Sequence, residues 1–226
     1  MEPVVGRSIP DTGFFQKYGV NIEDKDDIGW EPIVDHLAYP AAGTNVLGFF
    51  ANGVNQGVTS ALNAVGTKTF ADSNLESNNG LPVPERALIV GISIEVYPGL
   101  LPGLGAAAAA LTGRFWNDVW QIARSGYLNW NIGQKRISLQ APLMKYGSAA
   151  CLNGNSAVTH GAVADLVDQI DYAYIGSAIY GIVPVAIPSS QNFPLTLNWP
   201  ALVPTPSTAI ARIGVTLHGY RIRKPQ

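Results

Sequence analysis

Between Arg86 and Tyr97 every even position from 88 to 96 is apolar: Leu88, Val90, Ile92, Ile94 and Val96. The odd positions between them include Gly91, Ser93 and Glu95. An extended chain points successive side chains to opposite sides, so a period of two marks a strand with one buried face and one mixed face. Pro98 follows and ends it. One half-buried strand of this length needs partners on both edges and a second layer above its apolar face.

Seven further segments carry strand signals: residues 44 to 51, 66 to 71, 127 to 132, 136 to 141, 178 to 187, 192 to 199 and 209 to 222. Leu128, Trp130 and Ile132 alternate, Gly133-Gln134 supplies a hairpin turn, and Ile137 and Leu139 lead back. Phe193, Leu195, Leu197 and Trp199 form one face, with Pro194 suggesting an edge or a bulge. Ala211, Ile213, Val215 and Leu217 form another. The expected core is Leu88, Val90, Ile92, Ile94, Phe193, Leu195, Leu197, Ile213, Val215 and Leu217. One helical insertion is expected over about 106 to 124, with Phe115, Val119 and Ile122 on one face, Trp116 and Trp120 beside them, and Gly126 as its stop. Residues 162 to 171 read as a second, short helix. Eight strands joined by long loops suit an all-β, eight-stranded jelly roll, a two-sheet antiparallel sandwich. An immunoglobulin-like sandwich packs seven to nine strands into about 100 residues, fewer than are used here.

Residues 1 to 43 read as an extended N-terminal arm, and 44 to 226 as a single domain. The arm has many breakers, among them Pro3, Pro10, Gly13, Gly19, Gly29 and Pro32, between aromatic bites at Phe14, Phe15, Tyr18 and Trp30. A disordered tail is poor in aromatics. These residues therefore read as anchors on another surface, either a neighbouring subunit or the arm's own domain. From Met1 to Asp35 there are three basic residues against eight acidic ones, a net charge of −5. Such an arm cannot neutralise phosphates by counterion release.

Charged residues make up only 13% of the 226 residues, and the net charge is −2. A soluble domain carries about 25% charged residues, so a surface this poor in charge suits coverage by neighbouring subunits. There are 24 glycines and 16 prolines, which suits many short strands and turns. Cys151 stands alone, so an intrachain disulfide cannot form. The longest apolar stretch, 100 to 111, is broken by Pro102 and glycines and is shorter than the roughly 20 residues that span a bilayer. Together with an acidic start lacking an apolar leader, this reads as a chain made in the cytoplasm.

Signals for chemistry are weak. Gly103, Gly105 and Ala108 match a dinucleotide-binding spacing, but no acid-terminated strand follows about 20 residues on and no alternating strand–helix units exist. His36, His160 and His218 lie far apart, without metal-ligand spacing. Glu23, Asp24, Asp26 and Asp27 resemble the start of a calcium loop, but Ile28 sits where the third ligand belongs, and a solvated turn is the plainer reading. No catalytic, cofactor or metal residue is assigned.

Three stretches occur in an order that resembles the jelly-roll capsid proteins of tailless icosahedral bacteriophages, including membrane-containing ones. They run from Gly126 through the hairpin to Leu143, from Ile187 to Pro200, and from Arg212 to Arg223. The resemblance covers roughly residues 86 to 223. It implies a coat subunit of the virion, present in many copies and contacting itself and other capsid proteins, with no catalytic role and no small-molecule substrate. On this reading Phe14, Phe15, Tyr18, Trp30, Trp116 and Trp120 are candidates for subunit interfaces. Arg221, Arg223 and Lys224 form the one basic cluster, read either as a solvated tail or as a contact with genome or an internal membrane. The alternative is a carbohydrate-binding jelly roll, a spike or lectin-like domain that stacks Trp30, Trp116, Trp120 or Trp130 on sugars.

Overall fold

The computed structural model describes residues 10–23, 25–56, 67–97, 114–146, 154–159, 167–172, 179–206, 208 and 210–224. The strands are β1 (Asp27–Trp30), β2 (Ile33–Tyr39), β3 (Val46–Phe49), β4 (Arg86–Tyr97), β5 (Tyr127–Ile132), β6 (Lys135–Gln140), β7 (Gly154–Thr159), β8 (Val167–Tyr172), β9 (Tyr180–Ile187), β10 (Leu195–Asn198) and β11 (Ala211–Arg223). Two α-helices, α1 (Thr12–Lys17) and α2 (Arg114–Ser125), precede β1 and β5, and a 3-10 turn at Leu143–Tyr146 follows β6.

Every pairing among the described strands is antiparallel. In sheet A, β11 and β4 lie at the centre, with β9 beyond β4 and with β1 and β2 sharing the other edge of β11. Sheet B runs β3, β10, β5, β6. A separate ribbon joins β7 to β8. The fold is thus mostly β, two antiparallel sheets on either side of one main core. The pairings are nested: β2 with β11, β3 with β10, β4 with β9 and β5 with β6. Two more, β11 with β4 and β10 with β5, knit each sheet together.

The boundary expected at residue 43 is corrected. Asp27 faces Arg223, Trp30 faces Tyr220, Ile33 faces Leu217 and Tyr39 faces Ala211, so β1 and β2 keep one register along the whole of β11. Only Glu31 and Pro32 separate them; Pro32 has no N–H to give the ladder, while the Glu31 N–H donates to the Gly219 carbonyl at 3.1 Å. Residues 27–39 are therefore an integral strand of the domain. Upstream, α1 starts at Asp11, whose side chain accepts the Phe14 N–H at 2.9 Å as an N-cap. Phe15 is fully buried and lies edge to face with Tyr220, centroids 5.4 Å apart.

The apolar row of β4 does not line one face. Between Ile89 and Gly91 the register against β9 shifts, and against β11 it shifts at His218/Gly219. The extra residue of this bulge reverses the phase of β4. Ala87 and Ile89 on one side of it, and Ile92, Ile94 and Val96 on the other, enter the main core. Leu88 and Val90 point away from sheet B, to a smaller cluster with Phe15, Val20, Tyr220 and Ile222. The expected core is corrected accordingly: Leu88 is buried, but beneath α1, and Val90 is only half-buried there. Phe193, Leu195, Leu197, Ile213, Val215 and Leu217 are fully buried in the main core as expected.

Other differences have local causes. The helix expected over 106 to 124 is described from Arg114 to Ser125, with residues 106–113 outside the described residues. Val119 and Ile122 enter the main core, and Gly126 ends the helix where a Cβ would come within 2.6 Å of the Trp199 indole nitrogen. Of the expected helix over 162 to 171, the part described is the strand β8. Residues 67–76 give no strand; that segment clamps the outer edge of β2 instead. The His36 N–H donates to the Asp72 carbonyl (2.8 Å), the Val34 N–H to Asn74 Oδ1 (2.8 Å), and Ser73 Oγ donates to the Val34 carbonyl (3.0 Å). An exposed strand edge is thereby covered.

Candidate interaction surfaces

The basic cluster near the end of β11 is neutralised within the chain. Arg221 is 5% exposed and pairs with Glu85 and, at 3.0 Å, with Glu31. Arg223 meets Glu31 at 2.7 Å, and Lys224 pairs with Glu23. Beside them Arg86 pairs with Asp26 at 2.6 Å and donates to the Asn21 carbonyl. The acids come from residues 23 to 31 and from Glu85, which ends the connection into β4, so long-range folding builds a ladder of alternating charge. Partial burial works against the Glu31 carboxylate, but the Arg223 and Arg221 guanidiniums hold it below the usual range. The hydrogen bond to Glu31 raises Arg223. Cations engaged in this way are poorly placed to serve as free phosphate or lipid contacts. Two acids of the run that resembled a calcium loop, Glu23 and Asp26, are spent on Lys224 and Arg86; Asp24 lies outside the described residues.

The aromatic candidates of the N-terminal segment pack on their own chain. Phe14 meets Phe15 and Tyr18 edge to face, at 5.8 and 5.3 Å, and Trp30 meets Tyr220 at 5.0 Å. With Phe15 they roof one half of the outer face of sheet A. Phe14, Tyr18 and Trp30 remain half-buried, so each offers only a margin to a partner. Trp120 is different: it is 52% exposed on α2, beside Leu202, which is 60% exposed. The two line a cavity of about 370 Å³ with Arg124 and Pro204. The side chain of Trp116 lies outside the described residues. Trp130, one of the sugar-stacking candidates, is fully buried and offers no platform.

Two polar clusters escape the sequence reading. In the first, Asp35 points inward from β2 and is closed off from solvent; one oxygen accepts the Phe50 N–H at 2.7 Å and the other meets Lys68. In the second, on the outer face of sheet A, His36 Nδ1 bonds the Asp72 carbonyl at 2.9 Å and the imidazole packs over Gly214, where a Cβ would stand 2.6 Å from the ring. Burial, then the nearby Arg212 charge, pushes this histidine down to about 4. Arg212 itself stacks on Tyr97 at 5.3 Å and donates to the Ala71 carbonyl.

Ser93 Oγ and His218 Nε2 are 2.8 Å apart across β4 and β11. A serine–histidine pair is the start of a nucleophilic site, but Ser93 is 2% exposed, so a substrate carbonyl cannot reach its oxygen. Within the described residues, no three His, Cys, Asp or Glu side chains are placed to hold a metal ion. His160, Cys151 and the Gly103–Ala108 spacing lie outside the described residues. No helix of the described residues is long and apolar enough to cross a membrane.

No family model matches the chain, and no similar curated protein or solved structure was found.

Proposed function

We propose that the chain is a jelly-roll coat subunit that assembles with copies of itself into an icosahedral virus shell. The observation that carries this reading is the nesting of the strands. Number eight strands from β2 to β6 and then β9 to β11. The first pairs with the eighth, the second with the seventh, the third with the sixth and the fourth with the fifth. This nesting supports reading the chain as one long hairpin wound into two four-stranded layers, as in the two Greek keys of a jelly roll. The ribbon of β7 and β8 is then an insertion between the sixth strand's start and the fifth strand's end.

Composition supports the same reading. A surface with 13% charged residues overall, and with Trp120, Leu202 and Val183 all more than half exposed, is suited to burial between subunits. The sugar-binding alternative loses Trp130 to the core and Trp30 to its contact with Tyr220.

Analytical ultracentrifugation of the purified chain, followed by electron microscopy, tests the proposal. Capsomers or closed shells are expected at micromolar concentration. A chain that stays monomeric across the concentration series, or that instead binds a glycan array as a small oligomer, overturns it.

A further inference from the structure

The two sides of the sandwich are finished differently. At the β2 side, residues 72–74 satisfy the strand edge with hydrogen bonds. At the other side, among the described residues, β6 pairs only with β5, and β9 only with β4. Between these two edges the main core thins out: Ile132, Ile137, Ile182 and Val185 pack against it but stay only partly buried. Val183, on β9, is 77% exposed.

A groove follows this margin. It joins a cavity of about 410 Å³, lined by Ile132, Ile137, Val183 and Val185, to one of about 850 Å³ that reaches the turn at Gly133-Gln134 and the loop at Ser190-Gln191. Both cavities share Lys135, the first also takes Arg136, and no acidic side chain among the described residues lines either. Both cations are exposed, and neither forms an ion pair with another described residue. By contrast, Arg223, Lys224 and Arg86 are each paired with an acid, Glu31, Glu23 and Asp26 respectively.

We infer that the β6–β9 margin is a docking groove for an extended acidic segment of a partner polypeptide, which adds to an open strand edge. Free backbone groups of an edge strand supply main-chain hydrogen bonds to such an added strand, and alternate side chains supply specificity. Here the inward side chains of the guest would be apolar, covering Ile132, Ile137 and Val185. The outward ones would be carboxylates that meet Arg136, and a carboxylate at the segment's end would meet Lys135 beside the turn. The inference does not depend on the coat reading: a chain that fails to form shells can still bind the segment.

The probe is a synthetic eight-residue peptide of alternating valine and glutamate, compared with its valine–lysine counterpart. Binding is followed by amide chemical shifts of the intact chain. The glutamate peptide should bind about tenfold or more tightly than the lysine peptide, with shifts confined to β6 and β9. The exposed double variant Lys135→Glu with Arg136→Glu should keep the fold and reverse the preference. Equal binding of both peptides, no binding, an unchanged preference in the variant, or shifts elsewhere overturns the inference. So does a shift of the same amides with protein concentration alone, which would make a second copy the occupant.

Discussion

Lys68 and Asp35 face each other in a space closed to solvent, with 1% and 0% of their side chains exposed. Lys68 comes from the long connection between β3 and β4, Asp35 from the inward side of β2. The Lys68 ammonium also donates to the Asn52 carbonyl at 3.1 Å. Removing one partner of a buried pair leaves an uncompensated charge and costs about 3–5 kcal/mol, more than the intact pair contributes net. Lys68→Met should lose that much in urea denaturation. Adding Asp35→Asn, which keeps an acceptor for the Phe50 N–H, should recover part of it. Additive losses would show that the two do not act as a pair.

His36 should make the fold acid-labile. Its ordinary value is about 6.5, and in the folded chain it falls to about 4. The unfolded chain therefore binds the proton more readily, so stability rises with pH across that window and is lost as pH falls from about 6.5 towards 4. Burial sets the direction first; of the groups facing it, Arg212 and Lys68 add to it, and the Asp72 carbonyl and carboxylate only partly compensate, with Tyr97 beside the ring. The loss should approach about 3 kcal/mol. Thermal melts of His36→Gln from pH 7 to 4 should be flatter than those of the parent by a similar amount.

Gly219 should tolerate no side chain. At the β4 bulge a Cβ there would run into the Leu88 carbonyl oxygen and lie 2.9 Å from Ile89 Cα, both backbone atoms. Backbone cannot swing aside as a flexible side chain can, so Gly219→Ala should cost about 1–3 kcal/mol or more. Gly29, with nothing near its position, is the control and should change little by comparison.

Leu88 and Ile92, four residues apart on one strand, should report on different parts of the molecule. Either change to alanine removes a fully buried side chain and should cost about 2–5 kcal/mol locally. Leu88→Ala should speed hydrogen exchange in α1 and around Val20, since its cluster holds that segment to sheet A. Ile92→Ala should lower the global unfolding midpoint, since its neighbours belong to the main core.

The strands that were legible in the sequence are those whose two faces differ in polarity. β4 is described over the whole of the alternating segment, and the β5–β6 hairpin turns at Gly133-Gln134 as its residues suggest. β2 was hidden because Asp35 occupies an inward position between Ile33, Leu37 and Tyr39. The alternation fails unless Lys68, 33 residues on, is known to meet it. β8 was not legible: Val167 and Ile170 are three apart, a spacing that does not separate strand from helix. The phase reversal in β4 was invisible for the opposite reason: the even row is unbroken, and only the pairing reveals the bulge. The pairing of the basic cluster was hidden in the same way, since Glu31 and Glu85 lie 190 and 136 residues from Arg221.

The position of β11 also governs how such a chain can be made. Ala211–Arg223 lies at the centre of sheet A, with β4 along one edge and β1 with β2 along the other. A nascent chain that has already released β2 and β4 from the ribosome holds two strands that cannot touch each other in their final places. They must wait, edges open, for the strand that goes between them. Synthesis runs at about 5–20 residues per second, so the interval between β4 and β11 lasts several seconds or more. Premature termination in that interval leaves the edges of β2 and β4 that β11 covers without their partner.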